Sequence, residues 1–267
     1  MATDHSLQGS EGRIAYRVWP HEDPVRVVIL AHGYGEHVGR HEHVAAALGE
    51  RGAVVAGPDH LGHGQSEGER VLVGDYEHVI DDLHAVVTAV TADHAGLPVV
   101  LVGHSMGGLL ATRYAQRHGD GLAGLVLSGP VLGKWTAATD LLALDPIPDM
   151  PVDPETLSRD PAVGQVYAAD ELVWHGPFKR TTLESLVAAL DTVAAAPPLG
   201  DLPTLWVHGQ DDQLVPVEPS RAGVEGLGLT DLREHVYAGA RHEVFNETNQ
   251  DEVIGEVADF IDEVTAR

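Results

Sequence analysis

The apolar positions of this chain change period repeatedly, and the changes mark out its elements. Residues 14–19 alternate apolar with polar, the period-two pattern of a strand with one buried face. Residues 27–30 are apolar throughout, which suits a parallel strand buried on both faces. A helix is expected from about 41 to 51, with Val44, Ala47 and Leu48 on one side, and a short strand over 53–56. Residues 75–94 carry Val79, Leu83, Val86, Val87 and Val90 at spacings of three and four, which predicts an amphipathic helix. Residues 99–102 form another apolar run, and it passes into Leu109, Leu110, Ala111 and Tyr114 at helical spacing. Strands at 122–127, 204–208 and 232–237 follow, with helices near 219–227 and over 250–265. Such alternation predicts an α/β chain, with a mostly parallel sheet covered by helices on both faces.

The alternation breaks between about 131 and 199. Pro146, Pro148, Pro151, Pro154 and Pro161 punctuate this stretch, and its one longer helix, over 181–196, places Leu183, Leu186, Val187 and Leu190 along one face. A helical insertion between two strands is expected to lie as a cap over the carboxyl edge of the sheet. The whole of 1–267 therefore reads as one α/β domain with a cap insertion at about 131–199.

At the joint between the 99–102 run and the helix after it sits Gly103-His104-Ser105-Met106-Gly107. A serine on so tight a strand-to-helix turn projects its hydroxyl above the sheet edge, and glycines two residues before and after it leave room for the crossing. The amide groups and positive end of the following helix also face any negative charge that develops there. Ser105 is thus placed as a nucleophile.

Composition narrows the chemistry. The 267 residues include no cysteine, which removes thiol catalysis, Cys-ligated zinc and disulfides. Net charge is −25 and Lys134 and Lys179 are the only lysines, so nucleic acid and anionic membranes would be repelled at long range. The N-terminus shows no basic stretch leading into an apolar one, which reads as a cytoplasmic protein.

A serine hydroxyl needs a base, and the base needs an orienting group. In an α/β sheet these collect at the carboxyl ends of strands. The strand at 204–208 leads to Asp211 and Asp212, and the strand at 232–237 leads to His242. His242 would take the Ser105 proton, and one of the two adjacent aspartates would hold the imidazole. Backbone donors for an oxyanion are expected from Met106, after the nucleophile, and from Tyr34, after the strand at 27–30. Among the 17 histidines, His37, His41 and His43, or His60 and His63, could be imagined on a metal, but none has the spacing of a known ligand motif. No metal is expected.

The segments HGYGEHVGRH (32–41), DHLGHGQSEGER (59–70), GHSMGG (103–108), HGQDDQLVP (208–216) and GARHEVFNE (239–247) together resemble the monoacylglycerol lipases. These are α/β-hydrolases of the lysophospholipase-like serine hydrolase group, and the resemblance runs from about 12 to 261. It implies the α/β-hydrolase fold and a cofactor-free serine esterase that cleaves monoacylglycerol to glycerol and fatty acid through an acyl-enzyme. It selects Asp212 over Asp211, so that Ser105, Asp212 and His242 form the triad with Tyr34 and Met106 as oxyanion donors. It places Glu36, Arg40 and Tyr167 near the glycerol end of the pocket, whereas Glu36 and Arg40 could equally pair to pin their loop. Tyr34 stands where the family has a small residue, so its side chain is expected at the acyl entrance. A broader carboxylesterase or lysophospholipase would use the same triad; a proline-releasing aminopeptidase or a non-catalytic binder of this fold fits the loops less well. Trp135, Leu141, Leu142 and Leu144 in the cap are available to a lipid surface, with peripheral membrane contact as the consequence, or to the pocket itself.

Overall fold

A computed structural model of the chain describes residues 1–266. Among them, eight strands make one sheet: β1 (Thr3–Gln8), β2 (Arg13–Trp19), β3 (Arg26–Ala31), β4 (Ala53–Pro58), β5 (Val99–His104), β6 (Gly124–Ser128), β7 (Thr204–Gly209) and β8 (Leu232–Tyr237). The spatial order is β1-β2-β4-β3-β5-β6-β7-β8. β2 pairs antiparallel with β1 and β4, and from β4 across to β8 every pairing is parallel.

Strand alternation divides the interior into two cores. Val27 and Ile29 of β3, Val99 and Leu101 of β5, and Trp206 of β7 enter one core; Val28, Leu30, Val100, Val102, Leu205 and Val207 enter the other. The first core is closed by α2 (Tyr76–Ala92), α3 (Met106–His118) and α7 (Val217–Glu225), the second by α1 (Glu42–Glu50) and α8 (Gln250–Thr265). Asp75 starts α2 by accepting the amide of Glu77 at 2.9 Å, which satisfies one of the donors a helix leaves open at its start. The pattern-based reading did not anticipate β1. Its residues are almost all exposed and carry no apolar alternation, so the strand exists through its backbone register with β2.

Between β6 and β7 the chain forms α4 (Thr136–Leu142), α5 (Pro161–Ala169) and α6 (Arg180–Ala195). Asp160 caps α5 and Pro161 fills its first turn. The longer α6 is built into the first core through Leu186, Leu190 and Val193. Leu157, Tyr167 and Val173 form a small cluster of their own.

α3 lies unusually close to the sheet. A Cβ at Gly103 would stand 2.2 Å from the carbonyl oxygen of Gly107, and a Cβ at Gly107 would stand 2.0 Å from that of Ala31 on β3. Backbone atoms cannot yield cheaply, whereas a Cβ at the exposed Gly255 in α8 meets nothing within 4 Å. Gly107→Ala is therefore expected to lose about 3 kcal/mol or more, the upper end of overpacking costs. Gly255→Ala should gain about 0.5–1 kcal/mol from helix propensity. Urea unfolding midpoints of the two variants against the parent measure both.

Candidate active site

β5 ends at His104, and the chain turns into α3 through Ser105, whose φ of 56° and ψ of −119° lie in territory that L-residues avoid. The turn is held by backbone bonds. The Ser105 amide donates to Ser128 O at 2.9 Å, and its carbonyl accepts from Gly108 and Val131 at 2.9 and 3.0 Å.

Above this turn the loops after β7 and β8 deliver Asp212 and His242. Ser105 Oγ lies 2.9 Å from His242 Nε2, and His242 Nδ1 lies 2.7 Å from Asp212 Oδ2. A carboxylate can only accept, so the proton sits on Nδ1 and the Nε2 lone pair faces the serine hydroxyl. All three residues are buried. The second carboxylate oxygen of Asp212 accepts the amides of Leu214 and Val215, both at 2.9 Å, while Asp211 beside it is exposed. Burial pushes the Asp212 carboxyl up, but the charge of His242 and hydrogen bonds from His208 and His242 outweigh it and hold it below the ordinary value. Burial likewise pushes His242 down, and the Asp212 charge and hydrogen bond, helped by Glu243 and Glu36, lift it above the ordinary 6.5.

The Met106 amide opens α3, where no intrahelical acceptor exists for it. Tyr34 follows β3 in a loop that passes directly over the serine: a Cβ on Gly33 would lie 3.2 Å from Ser105 Cβ. Glu36 closes this loop by accepting the Gly33 amide at 2.6 Å. His32 supports it from beneath. Its Nε2 accepts the His60 amide at 3.0 Å, so Nδ1 carries the proton and donates to Gly33 O at 2.8 Å. Burial pushes His32 down to about 3, which keeps the ring neutral for that double role.

A cavity opens over Ser105. Trp135, Leu157, Phe178, Leu183, Leu186 and Leu214 make its apolar wall, and Glu36, Arg40, His104, Tyr167 and Glu243 its polar end. Arg40 bonds Glu36 at 2.7 Å and clamps Glu243 through two bonds of 2.7 and 2.8 Å, with the Tyr167 ring 5.0 Å from its guanidinium carbon. The Tyr34 ring stacks on Phe178 of the insertion, centroids 4.5 Å apart. Of the histidines imagined on a metal, His37 bonds Asp170, His41 bonds Glu36, His43 bonds Phe245 O and His63 bonds Leu61 O, while Nε2 of His60 and of His63 is buried without a hydrogen-bond partner among the described residues. Pattern reading missed His32, His208 and Glu243. The first two precede glycines at strand ends, and Glu243 directly follows His242, which was the available signal.

A serine on a left-handed strand-to-helix turn, joined to a buried imidazole and carboxylate at the carboxyl edge of a sheet ordered 1-2-4-3-5-6-7-8, defines an α/β-hydrolase. The pattern of the family described as Serine aminopeptidase, S33 matches residues 22–249. A monoacylglycerol lipase from Mycolicibacterium smegmatis is 38% identical over 270 residues, covering 97% of this chain and 96% of the relative. The human monoglyceride lipase is 33% identical over 253 residues, covering 90% and 84%. The crystal structure of Paleococcus ferrophilus monoacylglycerol lipase superposes with a TM-score of 0.78 at 28% identity, covering 96% of this chain and 100% of that one. The chain belongs to this family of serine hydrolases, the one that includes the monoacylglycerol lipases.

The raised affinity of His242 for its proton gives a sign. As pH falls through the elevated midpoint, Nε2 protonates and can no longer accept from Ser105. Asp212→Asn removes the charge that favours the imidazolium, so the His242 midpoint should move down. Ring-proton NMR titration of both proteins checks the direction; an unmoved midpoint would mean that Asp212 does not set it.

Proposed function

We propose that the chain is a carboxylic ester hydrolase acting on monoacylglycerols, with 131–199 as the cap over its acyl pocket. The observation that carries this reading is the unbroken relay Asp212–His242–Ser105, at 2.7 and 2.9 Å, beneath a cavity with an apolar wall and a small polar end. His242 accepts the Ser105 proton as Oγ attacks the ester carbonyl. The oxyanion that forms takes hydrogen bonds from the Met106 and Tyr34 amides. Asp212 stays ionised and holds the imidazolium, which then protonates the departing glycerol oxygen. Water enters, gives its proton to His242 and attacks the acyl-enzyme; collapse frees the fatty acid and returns the proton to Ser105.

The polar end supports a neutral head. Glu36 and Glu243 face one Arg40, so the cluster repels an anionic phosphate head. It offers an amine no free carboxylate either, since both are bonded to Arg40. Glu36, Arg40 and Tyr167 are the residues we assign to the glycerol head. The relatives described above carry the lipase name, which points the same way. Among the described residues no helix is long and apolar enough to cross a membrane. Leu144 and Met150 are exposed apolar side chains on the cap, suited to touching the lipid phase that holds the substrate, whereas Trp135 is committed to the cavity and bonds Leu214 O at 2.9 Å.

Fatty-acid release from a monoacylglycerol should exceed that from a triacylglycerol or a lysophospholipid. Ser105→Ala should lower kcat by about 10⁵-fold or more, and Asp212→Asn by about 10⁴-fold through the wrong tautomer. Turnover confined to short nitrophenyl esters would keep the mechanism and remove the lipase assignment.

A further inference from the structure

Glu243 is the one buried charge at this site that neither the acid–base steps nor the assigned head-group contacts use. We propose that Glu243 is a positioning residue: through Arg40 and Glu36 it locks the loop carrying His242 to the loop carrying the Tyr34 oxyanion amide, and so fixes the distance between base and oxyanion hole. The inference rests on the serine-hydrolase reading above.

The connection is continuous and dry. Glu243 follows His242 in the chain, and both its carboxylate oxygens meet the Arg40 guanidinium in a paired fork at 2.7 and 2.8 Å. The same guanidinium nitrogen that meets Oε1 also donates to Glu36 Oε2 at 2.7 Å. Glu36 Oε1 in turn holds the Gly33 amide at 2.6 Å, one residue before Tyr34. The side chains of Glu36, Arg40 and Glu243 are 4, 7 and 5% exposed, so water does not loosen the links. A planar guanidinium gripped on two sides has little rotational freedom, and a bidentate fork transmits orientation as well as distance. Two further bonds fix Glu243 itself: its amide donates to Leu157 O at 2.8 Å, and Asn246 Nδ2 donates to its Oε2 at 2.7 Å.

The alternative, that Glu243 only neutralises Arg40, does not explain the pairing. Glu36 already supplies one carboxylate to that cation. Glu243 is a second buried carboxylate on a cation that already has one, and Glu36 also meets His41 at 3.3 Å. The Glu243 charge also helps raise the proton affinity of His242. The titratable groups around His242 and Glu243 are Asp212, Glu36, Arg40, His41, His104 and Tyr167 of α5. Burial and the adjacent His242 push His104 down to about 3, and burial pushes Tyr167 up to about 12, so both stay neutral. Asp212, Glu243 and Glu36 therefore act on His242, with Arg40 and His41 both paired to Glu36.

The test compares Glu243→Gln, Glu243→Asp and the parent on a monoacylglycerol and on a short nitrophenyl ester, which has no glycerol head. Titration with a fluorophosphonate counts competent sites, so turnover is expressed per folded site. Glu243→Gln should lower kcat at least tenfold on both esters with KM within threefold, and should move the acid limb of kcat/KM to lower pH. Glu243→Asp keeps the charge and loses the reach, so it should lower kcat and leave that limb in place. Loss on the monoacylglycerol alone would make Glu243 a head-group contact and overturn the proposal. So would a nitrophenyl turnover within twofold of the parent, or an unmoved acid limb in Glu243→Gln. A parent inert on both esters would defeat the ester-hydrolase reading itself. NMR titration of His242 would then still decide the clamp: a midpoint lowered in Glu243→Gln and kept in Glu243→Asp supports it, and no difference overturns it.

Discussion

The left-handed backbone at Ser105 is the constraint on which the rest of the structure depends. A non-glycine residue held there costs about 1–3 kcal/mol, so the conformation persists only where its surroundings over-determine it. Here the surroundings are three backbone hydrogen bonds, to Ser128, Gly108 and Val131. They exist only while β5 and β6 stay in register and α3 begins at once. Beginning at once brings the first turn of α3 against β3 and β5, which is why Gly103 and Gly107 cannot carry a side chain. The sheet then does the rest. Parallel strands end on the same edge, and so Asp212 and His242, thirty residues apart, arrive over the one serine that the turn has raised.

Burial makes the site selective among its own histidines. His104 stands beside His242 with ring centroids 4.9 Å apart, and both are almost wholly enclosed. Enclosure alone drives a histidine toward neutrality, as it does for His32, His63 and His104, each pushed down to about 3. Of these rings only His242 has a carboxylate on its Nδ1, so only His242 has a partner that would stabilise its protonated form. The others serve as neutral struts, and their tautomers are fixed by the carbonyls and amides they meet. One carboxylate in the right place thus distinguishes the proposed base from its neutral neighbours.

Much of this is legible in the amino-acid sequence. Strands buried on both faces read as continuous apolar runs, and amphipathic α2 reads from its valines at three and four. The pair Gly103 and Gly107 around Ser105 reads because its steric demand is local. What could not be read has a common cause. β1 is exposed except at Leu7 and owes its existence to pairing with β2, which leaves no mark on hydropathy. Asp211 and Asp212 are the same residue type side by side; the direction of the loop after β7 separates them, and the resemblance to known lipases, not periodicity, selected one. The partner of Glu243 lies 203 residues earlier in the chain, so its fork with Arg40 is a tertiary fact. The insertion's proline-broken stretch gives little periodicity to α4 and α5, and only α6, which enters the main core, had a face long enough to see.

That last difference bears on how the pocket is held. Thr182 on α6 donates to Val71 O and accepts from the Val73 amide, while Ser185 donates to Val73 O, so the helix is bonded to the loop after β4 as well as packed on the core. On the opposite side, the amides of His242 and Glu243 donate to Thr156 and Leu157, and Arg159 bonds the buried Glu247. The insertion therefore reaches the loop of His242 through its backbone, while Phe178 reaches the loop after β3 through the ring of Tyr34. A displacement of residues 156–157 would pull directly on His242, whose bond to Ser105 tolerates little change in length or angle before it weakens. Residues 143–151 are exposed or partly so and do not line the cavity. The insertion is thus tied to the histidine loop at residues 156–157, where it shares hydrogen bonds with His242 and Glu243.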